Sequence, residues 1–246
     1  MLKDIIDNNL IEARGIIGFY PCNSDDNDDI EVYDENDGKT VKAKFATLRQ
    51  QLDKDQDNFV AMSDFIAPKS SGKTDYIGFF AVSAGFKQEE VCQKYVDSGD
   101  DYNNMMVKTL TDRLAEAFSE QLHQEIRKDT WGYSPDEQLS VADCLNVKYQ
   151  GIRPAPGYPS QPDHTEKTIM WNLMQIKEQT GIELTESLAM HPASSVCGLY
   201  FANPCAHYFS VDEICKDQVE SYAERKGMSK KDVERWLAPI LSYETE

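Results

Sequence analysis

At residues 76–84 the chain has the sequence YIGFFAVSA, a run of apolar residues broken only by a glycine and a serine. Its length and its aromatic and β-branched content predict a buried strand. The polar turn before it contains Gly72-Lys73-Thr74, so a phosphate-binding loop has to be considered. That loop requires a glycine at position 67, where Ala67 stands, and a helix directly after it, where the predicted strand begins. We therefore favour a surface turn at 72–74.

The clearest helix follows this strand and is predicted to start near Asn103. Apolar side chains recur every four residues and form one stripe, at Met106, Leu110, Leu114, Phe118, Leu122 and Ile126. Further helices are predicted after Thr165 up to Gly181, over 217–226 before Gly227, and from Ser229 through Trp236. Helices and strands thus alternate irregularly, without a βαβ rhythm or a glycine-rich dinucleotide fingerprint. This pattern predicts one α+β domain over residues 1–246 with a largely antiparallel sheet.

The remaining elements are predicted from shorter patterns. They are a helix at 2–13, a buried strand at 15–21 closed by Pro21, a hairpin of 30–33 with 41–45, a helix at 45–54, a polar loop at 53–58, a strand at 59–66, and a second hairpin of 196–201 with 208–211.

The composition limits the classes of function. The net charge is −18, from 43 acidic and 25 basic residues, which disfavours binding to nucleic acids or to anionic membranes. The acidity either confers solubility, which is the favoured interpretation, or provides a face for a basic partner. The six cysteines form no CxxC pair, so we expect free thiols rather than a zinc site. Without a signal peptide or a membrane-length apolar run, a soluble, cytoplasmic protein is expected.

The segment from Arg153 to Pro159, RPAPGYP, is the strongest candidate for a functional loop. Its three prolines exclude regular helix and central strand, so the loop is stiff, which lowers the entropic cost of holding a ligand. Gly157 allows a positive φ or the close approach of a ligand, Arg153 offers a planar fork for a carboxylate, and Tyr158 offers a ring face and a hydroxyl. From the residues alone, a binding loop and a proline-rich connector are equally supported.

Four histidines are present, and none has the spacing of a metal-binding pair. His123 is expected at the surface of the long helix. His164 follows Asp163 just before a helix start, which suits either a proton-coupled role or a simple turn. No nucleophile elbow, catalytic triad or calcium loop is visible. The sequence therefore predicts neither catalytic nor metal-binding residues.

Taken together, several runs resemble the C-terminal activation domain of cobalamin-dependent methionine synthase. The main signature is YQGIRPAPGYP at 149–159 followed by PDHTEK at 162–167. Supporting runs are SDFIAP at 63–68, DDY at 100–102, DRLAEAF at 112–118, LTESLAM at 184–190 and WLAPIL at 236–241. Each run alone is weak evidence, but the combination is specific and extends from about Ala13 to the end of the chain.

The resemblance implies a fold and a function. The fold would be a helmet-shaped domain with a bent antiparallel sheet and flanking helices. The domain would bind S-adenosylmethionine and dock on the cobalamin-binding domain, which holds the cobalamin. With an electron from flavodoxin or a diflavin reductase it would support the reductive methylation of cob(II)alamin to methylcobalamin in methionine biosynthesis. The chain would then be part of a methyltransferase without being catalytically complete.

The resemblance also implies which residues bind the ligand. Arg153 would bind the methionine carboxylate, and Glu116 would stand near the cationic sulfonium. Backbone and side-chain groups of the loop and of the later hairpin would complete the site, at Pro154, Ala155, Gly157, Tyr158, Tyr208 and Phe209.

Two departures from the family pattern are expected to weaken ligand binding. An upstream aspartate belongs to an N-terminal helical segment that the chain lacks, and a glutamate six residues before the loop arginine is replaced by Val147. The rival hypothesis is therefore a docking module that keeps the fold, binds no ligand and recognises only a protein partner. An independent methyltransferase is disfavoured because no Rossmann glycine loop is present.

Overall fold

The structure is a computed structural model that describes residues 1–52 and 58–245. Five strands form one sheet in the order β3-β2-β1-β4-β7, and two short strands, β5 and β6, form a separate pair. The strands are β1 (Glu12–Ser24), β2 (Asp29–Tyr33), β3 (Val41–Ala46), β4 (Asp75–Phe86), β5 (Glu183–Leu184), β6 (Met190–His191) and β7 (Ser195–Tyr200). The predicted α+β class with a largely antiparallel sheet and flanking helices is confirmed.

The helices within the described residues are α1 (Leu2–Asp7), α2 (Gln88–Asp97), α3 (Asp101–Glu125), α4 (Val141–Leu145), α5 (Glu166–Met174), α6 (Ile176–Thr180), α7 (Lys216–Lys226) and α8 (Lys230–Trp236). A π-helical turn, Ile126–Thr130, continues α3. Short 3₁₀ turns lie at Met62–Phe65, Lys69–Ser71 and Ala238–Ile240. None of the helices in the described ranges combines the length and apolarity needed to cross a bilayer.

The apolar run at 76–84 lies within β4, whose residues from Ile77 to Gly85 are all buried. The polar turn before it is a 3₁₀ turn that ends at Gly72, with a left-handed φ of 64°. A strand, not a helix, follows that turn, as predicted.

The hairpin of β2 and β3 is confirmed and is antiparallel, with Ile30 opposite Phe45. Its turn is held by the backbone N–H of Gly38, which donates to the carbonyl of Asp34 at 2.8 Å. The predicted helix at 45–54 is wrong over its described residues. Strand β3 continues to Ala46, and Arg49 then forms an antiparallel bridge with Ala61. Residues 53–57, most of the predicted polar loop, lie outside the described residues.

Three further predictions need correction. The predicted helix at 2–13 ends at Asp7, and strand β1 already begins at Glu12. Strand β1 also continues through Pro21 to Ser24, where it pairs with β2. The predicted strand at 59–66 is instead a 3₁₀ turn at Met62–Phe65. In each case the short apolar pattern fitted more than one structure, and packing decided between them.

Helix α3 is confirmed, but its most buried line differs from the predicted stripe by one residue. The stripe from Met106 to Leu122 is only partly buried. Fully buried instead are Val107, Thr111, Ala115, Ser119 and His123. These side chains are mostly small, which allows α3 to lie close to its neighbours, while larger side chains flank it. A methyl group placed on Gly15 of β1 would come within 3.1 Å of Phe118 Cζ, which shows how tightly this flank packs.

The helix predicted from Thr165 to Gly181 is two helices. It is interrupted at Gln175, which has a left-handed φ of 50° and separates α5 from α6. The predicted end at Gly181 is correct, with φ of 80°. Glutamine does not normally break helices, so the sequence carries no signal for this interruption.

Two compact units share the chain. The first comprises Met1–Ile17, Phe80–Tyr149 and Met174–Cys197, and the second comprises Gly18–Phe79, Gln150–Leu173 and Gly198–Glu246. In the second unit a hydrophobic cluster joins β3, the segment after it and helices α7 and α8. Its buried members are Ala46, Leu48, Val211, Ile214, Val219, Tyr222, Ala223, Val233 and Leu237.

In the first unit, His123 is fully buried, so its predicted surface position is wrong. Its ring meets that of Tyr149 edge-on at 4.9 Å between centroids. Arg127, also fully buried, forms a two-pronged ion pair with Glu137 at 2.7 and 2.8 Å and lies over the Tyr149 ring. Because one turn of helix separates His123 from Arg127, both side chains face the same aromatic ring.

Candidate ligand-binding site

The loop from Arg153 to Pro159 is anchored beside the end of strand β7. Ile152 and Phe201 exchange two backbone hydrogen bonds of 3.0 Å, and the N–H of Leu199 donates to the carbonyl of Pro154 at 2.8 Å. The loop therefore starts as a strand-like segment beside β7. The proline at 154 accepts a hydrogen bond and is not required to donate one.

A tight turn follows at Ala155–Tyr158. The N–H of Tyr158 donates to the carbonyl of Ala155 at 3.1 Å, and the N–H of Gly157 donates to the carbonyl of Gln161 at 2.7 Å. Gly157 adopts a φ of 97°, a conformation that residues with a side chain rarely adopt. Gly157 thus adopts the positive φ that a glycine was expected to allow at this position.

The segment 208–211 pairs with this loop rather than with β7. The backbone N–H of Arg153 donates to the hydroxyl of Tyr208 at 3.0 Å, and the N–H of Val211 donates to the carbonyl of Pro159 at 2.9 Å. Ser160 Oγ donates to the carbonyl of Phe209 at 2.5 Å. The predicted second hairpin is therefore wrong: 208–211 is not a strand, because its polar groups are satisfied by the loop.

Aromatic side chains surround the place where the two segments meet. Phe65 packs edge-on against Phe201, His207 and Phe209, with centroid distances of 6.1, 5.4 and 6.1 Å. In contrast, Tyr158 is 63% exposed and Tyr208 is 44% exposed. Each of the two segments thus presents an accessible tyrosine ring, and that of Tyr208 lies between two members of the aromatic cluster in the sequence.

The structure brings most of the predicted site residues together. The loop residues Arg153, Pro154, Ala155, Gly157 and Tyr158 are connected to Tyr208 and Phe209 through the hydrogen bonds described above. Glu116 lies in the first unit, on the exposed side of α3, so its part in the site remains a prediction.

A buried charged cluster fixes the chain just after the loop. Lys226 Nζ, at the end of α7, contacts Asp163 Oδ2 at 2.8 Å and Thr165 Oγ1 at 2.6 Å, and also forms an ion pair with Glu166. The Tyr222 hydroxyl donates to Asp163 Oδ2 at 2.8 Å. We call these residues, Asp163, Thr165, Glu166, Tyr222 and Lys226, the lysine cluster.

One ammonium group faces two carboxylates in the lysine cluster, and the two differ in pKa. Burial raises the pKa of Glu166 to about 7, against the opposing effect of Lys226 and with a further increase from Asp163. Burial also acts to raise the pKa of Asp163, but Lys226 and the hydrogen bonds from Thr165 outweigh it and hold that pKa below its usual value. Asp163 is therefore the ionised partner of Lys226 at neutral pH.

Only part of the lysine cluster has a recognisable signal in the sequence. The order Asp-x-Thr-Glu before a helix is typical of a turn in which a carboxylate accepts a backbone N–H, and Asp163 Oδ1 does accept from the N–H of Thr165 at 2.8 Å. Lys226 was predicted only to be the last residue of the helix over 217–226. Its contact with Asp163, 63 residues away in the sequence, has no local signature.

The described residues contain no group of three or more histidine, cysteine or acidic side chains placed to hold a metal ion. All six cysteines are free thiols. Burial raises the pKa of the Cys22 thiol well above its usual value, which favours an unreactive thiol there.

Comparison with known proteins identifies the family. The sequence model of the family described as "Vitamin B12 dependent methionine synthase, activation domain" matches residues 1–227. Among solved structures, the MetH reactivation domain bound to AdoHcy is similar, with a TM-score of 0.96 and 48% sequence identity. The match covers 99% of the present chain and 75% of that one. The chain therefore belongs to the family of vitamin B12-dependent methionine synthase activation domains.

Proposed function

We propose that this chain binds S-adenosylmethionine at the loop 153–158 and supports the reductive methylation of a cobalamin held by another domain. Family membership supports the role in a B12-dependent methionine synthase. The AdoHcy-bound relative supports the ligand class, because AdoHcy differs from S-adenosylmethionine only in lacking the transferable methyl group and its positive charge.

One observation carries the proposal: the hydrogen bond from the N–H of Arg153 to the hydroxyl of Tyr208. It joins the two segments that contain seven of the eight predicted ligand-binding residues. The arginine fork of one segment and the exposed ring of the other are then parts of one surface. A guanidinium suits a carboxylate and an aromatic ring suits a purine, and both groups occur in S-adenosylmethionine.

The chain's own residues would bind and orient the methyl donor. The cobalamin would supply the chemistry of methyl transfer when the two domains are docked. Arg153, the loop backbone around Ala155 and Gly157, and the two tyrosines would fix the donor in one orientation, which is the main contribution that positioning makes to such a reaction. The electron donor would be flavodoxin or a diflavin reductase.

Calorimetry with S-adenosylmethionine and with AdoHcy tests ligand binding directly. We expect saturable binding of both ligands. In Arg153→Ala the affinity should fall about tenfold or more, because the carboxylate of the ligand loses its charge-assisted hydrogen bonds. Arg153→Lys is expected to recover only part of the affinity, since lysine cannot form the planar fork. Arg14→Ala, in the first unit, is the matched control and should bind like the wild type.

The two ligands also test Glu116 separately. If Glu116 stands near the sulfonium, Glu116→Gln should weaken S-adenosylmethionine binding several-fold and leave AdoHcy binding nearly unchanged, because only the former carries the positive charge. Equal effects on both ligands would remove Glu116 from the site.

If the chain is instead a docking module without a ligand, neither S-adenosylmethionine nor AdoHcy should bind. No saturable heat with either ligand at millimolar concentration would contradict our proposal and favour that module. Binding of the cobalamin-binding domain of a methionine synthase, measured in the same preparation, would then show whether docking alone is retained.

A further inference from the structure

His164 lies against the ligand loop in a way that the proposed function does not yet use. A methyl group placed on Gly157 would come within 2.0 Å of His164 Cε1, 2.5 Å of Nδ1 and 2.7 Å of Nε2. The Nδ1–Cε1–Nε2 edge of the ring therefore faces the Cα of Gly157 directly. This contact leaves no room for any side chain at position 157.

The backbone that carries His164 is itself fixed. Asp163 Oδ1 accepts from the N–H of Thr165 at 2.8 Å, so His164 is the central residue of a closed turn. The other carboxylate oxygen, Asp163 Oδ2, is held by Lys226 and Tyr222, both at 2.8 Å. The lysine cluster thus holds the turn, and the turn directs the His164 ring towards Gly157.

The surroundings of the ring also limit its freedom. The indole of Trp236 lies beside it at 6.4 Å between ring centroids. His164 Nδ1 is buried and has no hydrogen-bond partner among the described residues. A buried ring nitrogen without a partner is unfavourable. Because Nδ1 makes no hydrogen bond that would fix the ring, we attribute the position of the ring to its packing against Gly157 and Trp236.

We propose that His164 is a positioning residue for the ligand loop, whose ring holds the turn at Gly157 in one conformation before any ligand binds. The inference rests on the proposed role of that loop in binding S-adenosylmethionine. Lys226 holds Asp163, Asp163 closes the turn that contains His164, and the His164 ring lies against Gly157. A loop fixed in advance loses less conformational entropy on binding, so His164 acts on affinity without touching the ligand.

Amide hydrogen exchange measured by NMR tests this proposal without any ligand. The N–H groups of Gly157 and Tyr158 donate to carbonyls within the turn, so they report its opening. In His164→Ala we expect both amides to exchange about tenfold faster or more, while the amide of Leu199, which donates to Pro154 at the loop anchor, keeps its rate. His164→Phe retains a planar ring and should restore most of the protection. Thr168→Ala, at an exposed position in the first turn of α5, is the control for a general disturbance of the structure around the loop.

AdoHcy affinity provides the second readout. We expect His164→Ala to lower it several-fold and His164→Phe to restore it in part. Gly157→Ala should lower the AdoHcy affinity in both backgrounds. The loss should be at least about threefold smaller in the His164→Ala background than in the wild type, because the added methyl group no longer meets the ring.

The outcomes separate the two proposals. Unchanged exchange at Gly157 and Tyr158 in His164→Ala, or penalties of Gly157→Ala that are equal in both backgrounds, would overturn the positioning role. Failure of the wild type to bind either ligand, combined with faster exchange in His164→Ala, would contradict the proposed function and leave the structural role of His164 supported.

Discussion

The hydroxyl of Tyr208 accepts a hydrogen bond of 3.0 Å from the backbone N–H of Arg153, two residues that are 55 positions apart in the sequence. Through this bond a side chain of one segment fixes the backbone of the other, next to the arginine proposed to bind a carboxylate. The Tyr208 side chain remains 44% exposed, so it contributes little to the core. Its role and its energetic contribution can therefore be tested separately.

We predict that Tyr208→Phe lowers AdoHcy affinity several-fold but reduces the free energy of unfolding by only about 0.5–1.5 kcal/mol, the usual net value of one hydrogen bond. Tyr208→Ala removes the same hydrogen bond together with a largely exposed ring, so it should weaken binding further and reduce the free energy of unfolding only slightly more than Tyr208→Phe does. Calorimetry and urea denaturation measure the two effects. A large loss of stability in Tyr208→Ala would show instead that the ring is a core residue.

Lys226 is predicted to be far more important for stability than a neighbouring surface lysine. Lys226→Met leaves Asp163 and Glu166 buried without their cation, which should lower the free energy of unfolding by roughly 3–5 kcal/mol. Lys230→Met removes a solvent-screened surface pair with Glu220 and should change the free energy of unfolding far less. The two variants are compared by urea denaturation at neutral pH. Similar losses of unfolding free energy in both variants would contradict the prediction.

Glu166 is predicted to make stability fall as the pH rises. Its pKa in the folded protein is about 7, above the ordinary 4.5, so the folded state keeps this proton where the unfolded state has lost it. The stabilising contribution is complete below pH 4.5 and is lost as the pH rises through about 7. Over that range it amounts to something on the order of 3 kcal/mol.

The measurement is the difference in unfolding free energy between wild type and Glu166→Gln across this pH range. Relative to the wild type, the variant should become more stable as the pH rises. Glu220→Gln on α7 is the control: hydrogen bonding to Lys230 lowers the pKa of Glu220, so its contribution to stability is already complete above pH 4.5 and its difference from the wild type should stay nearly flat over this range. A flat difference for Glu166→Gln would show that the pKa of Glu166 is not raised in the folded protein.

Val147 is predicted to be a strained residue. It has a φ of 55°, a left-handed conformation that is unfavourable for a β-branched side chain by about 1–2 kcal/mol. Val147→Gly should therefore raise the free energy of unfolding by about 0.5–1 kcal/mol, after allowing for the greater entropy of glycine in the unfolded chain. Val96→Gly, at an exposed position in the last turn of α2, is the control and should lower it by less than the roughly 1 kcal/mol that glycine costs in a helix interior. Thermal and chemical denaturation decide the sign.

The sequence was sufficient wherever the pattern was long or the turn chemistry specific. Strand β4, helix α3 and the β2–β3 hairpin were predicted correctly because their apolar periodicity, or the Asp37-Gly38 turn, left few alternatives. The stiffness of the loop at 153–159 also followed directly from its three prolines. Family resemblance, carried by that loop and the motif after it, gave the function class that the comparisons support.

Short or ambiguous segments were decided by their neighbours. Residues 59–66 and 208–211 had apolar runs suited to strands, yet one became a 3₁₀ turn and the other paired with the loop. His123 was expected at the surface of the long helix, and it is buried because Tyr149 provides a ring to pack against. None of these three outcomes has a local signal, since each depends on contacts outside its own segment.

The sequence by itself determined the long elements, such as β4 and α3, and the rigid loop with its arginine and with a glycine at position 157 that can adopt a positive φ. Those properties follow from local steric and hydrogen-bonding preferences of the chain. Only the tertiary structure decided that Tyr208 would hold the backbone of Arg153, that Lys226 would be the partner of Asp163, and that His164 would lie against Gly157. These contacts form only when folding brings the partner residues together in space, so no local pattern encodes them.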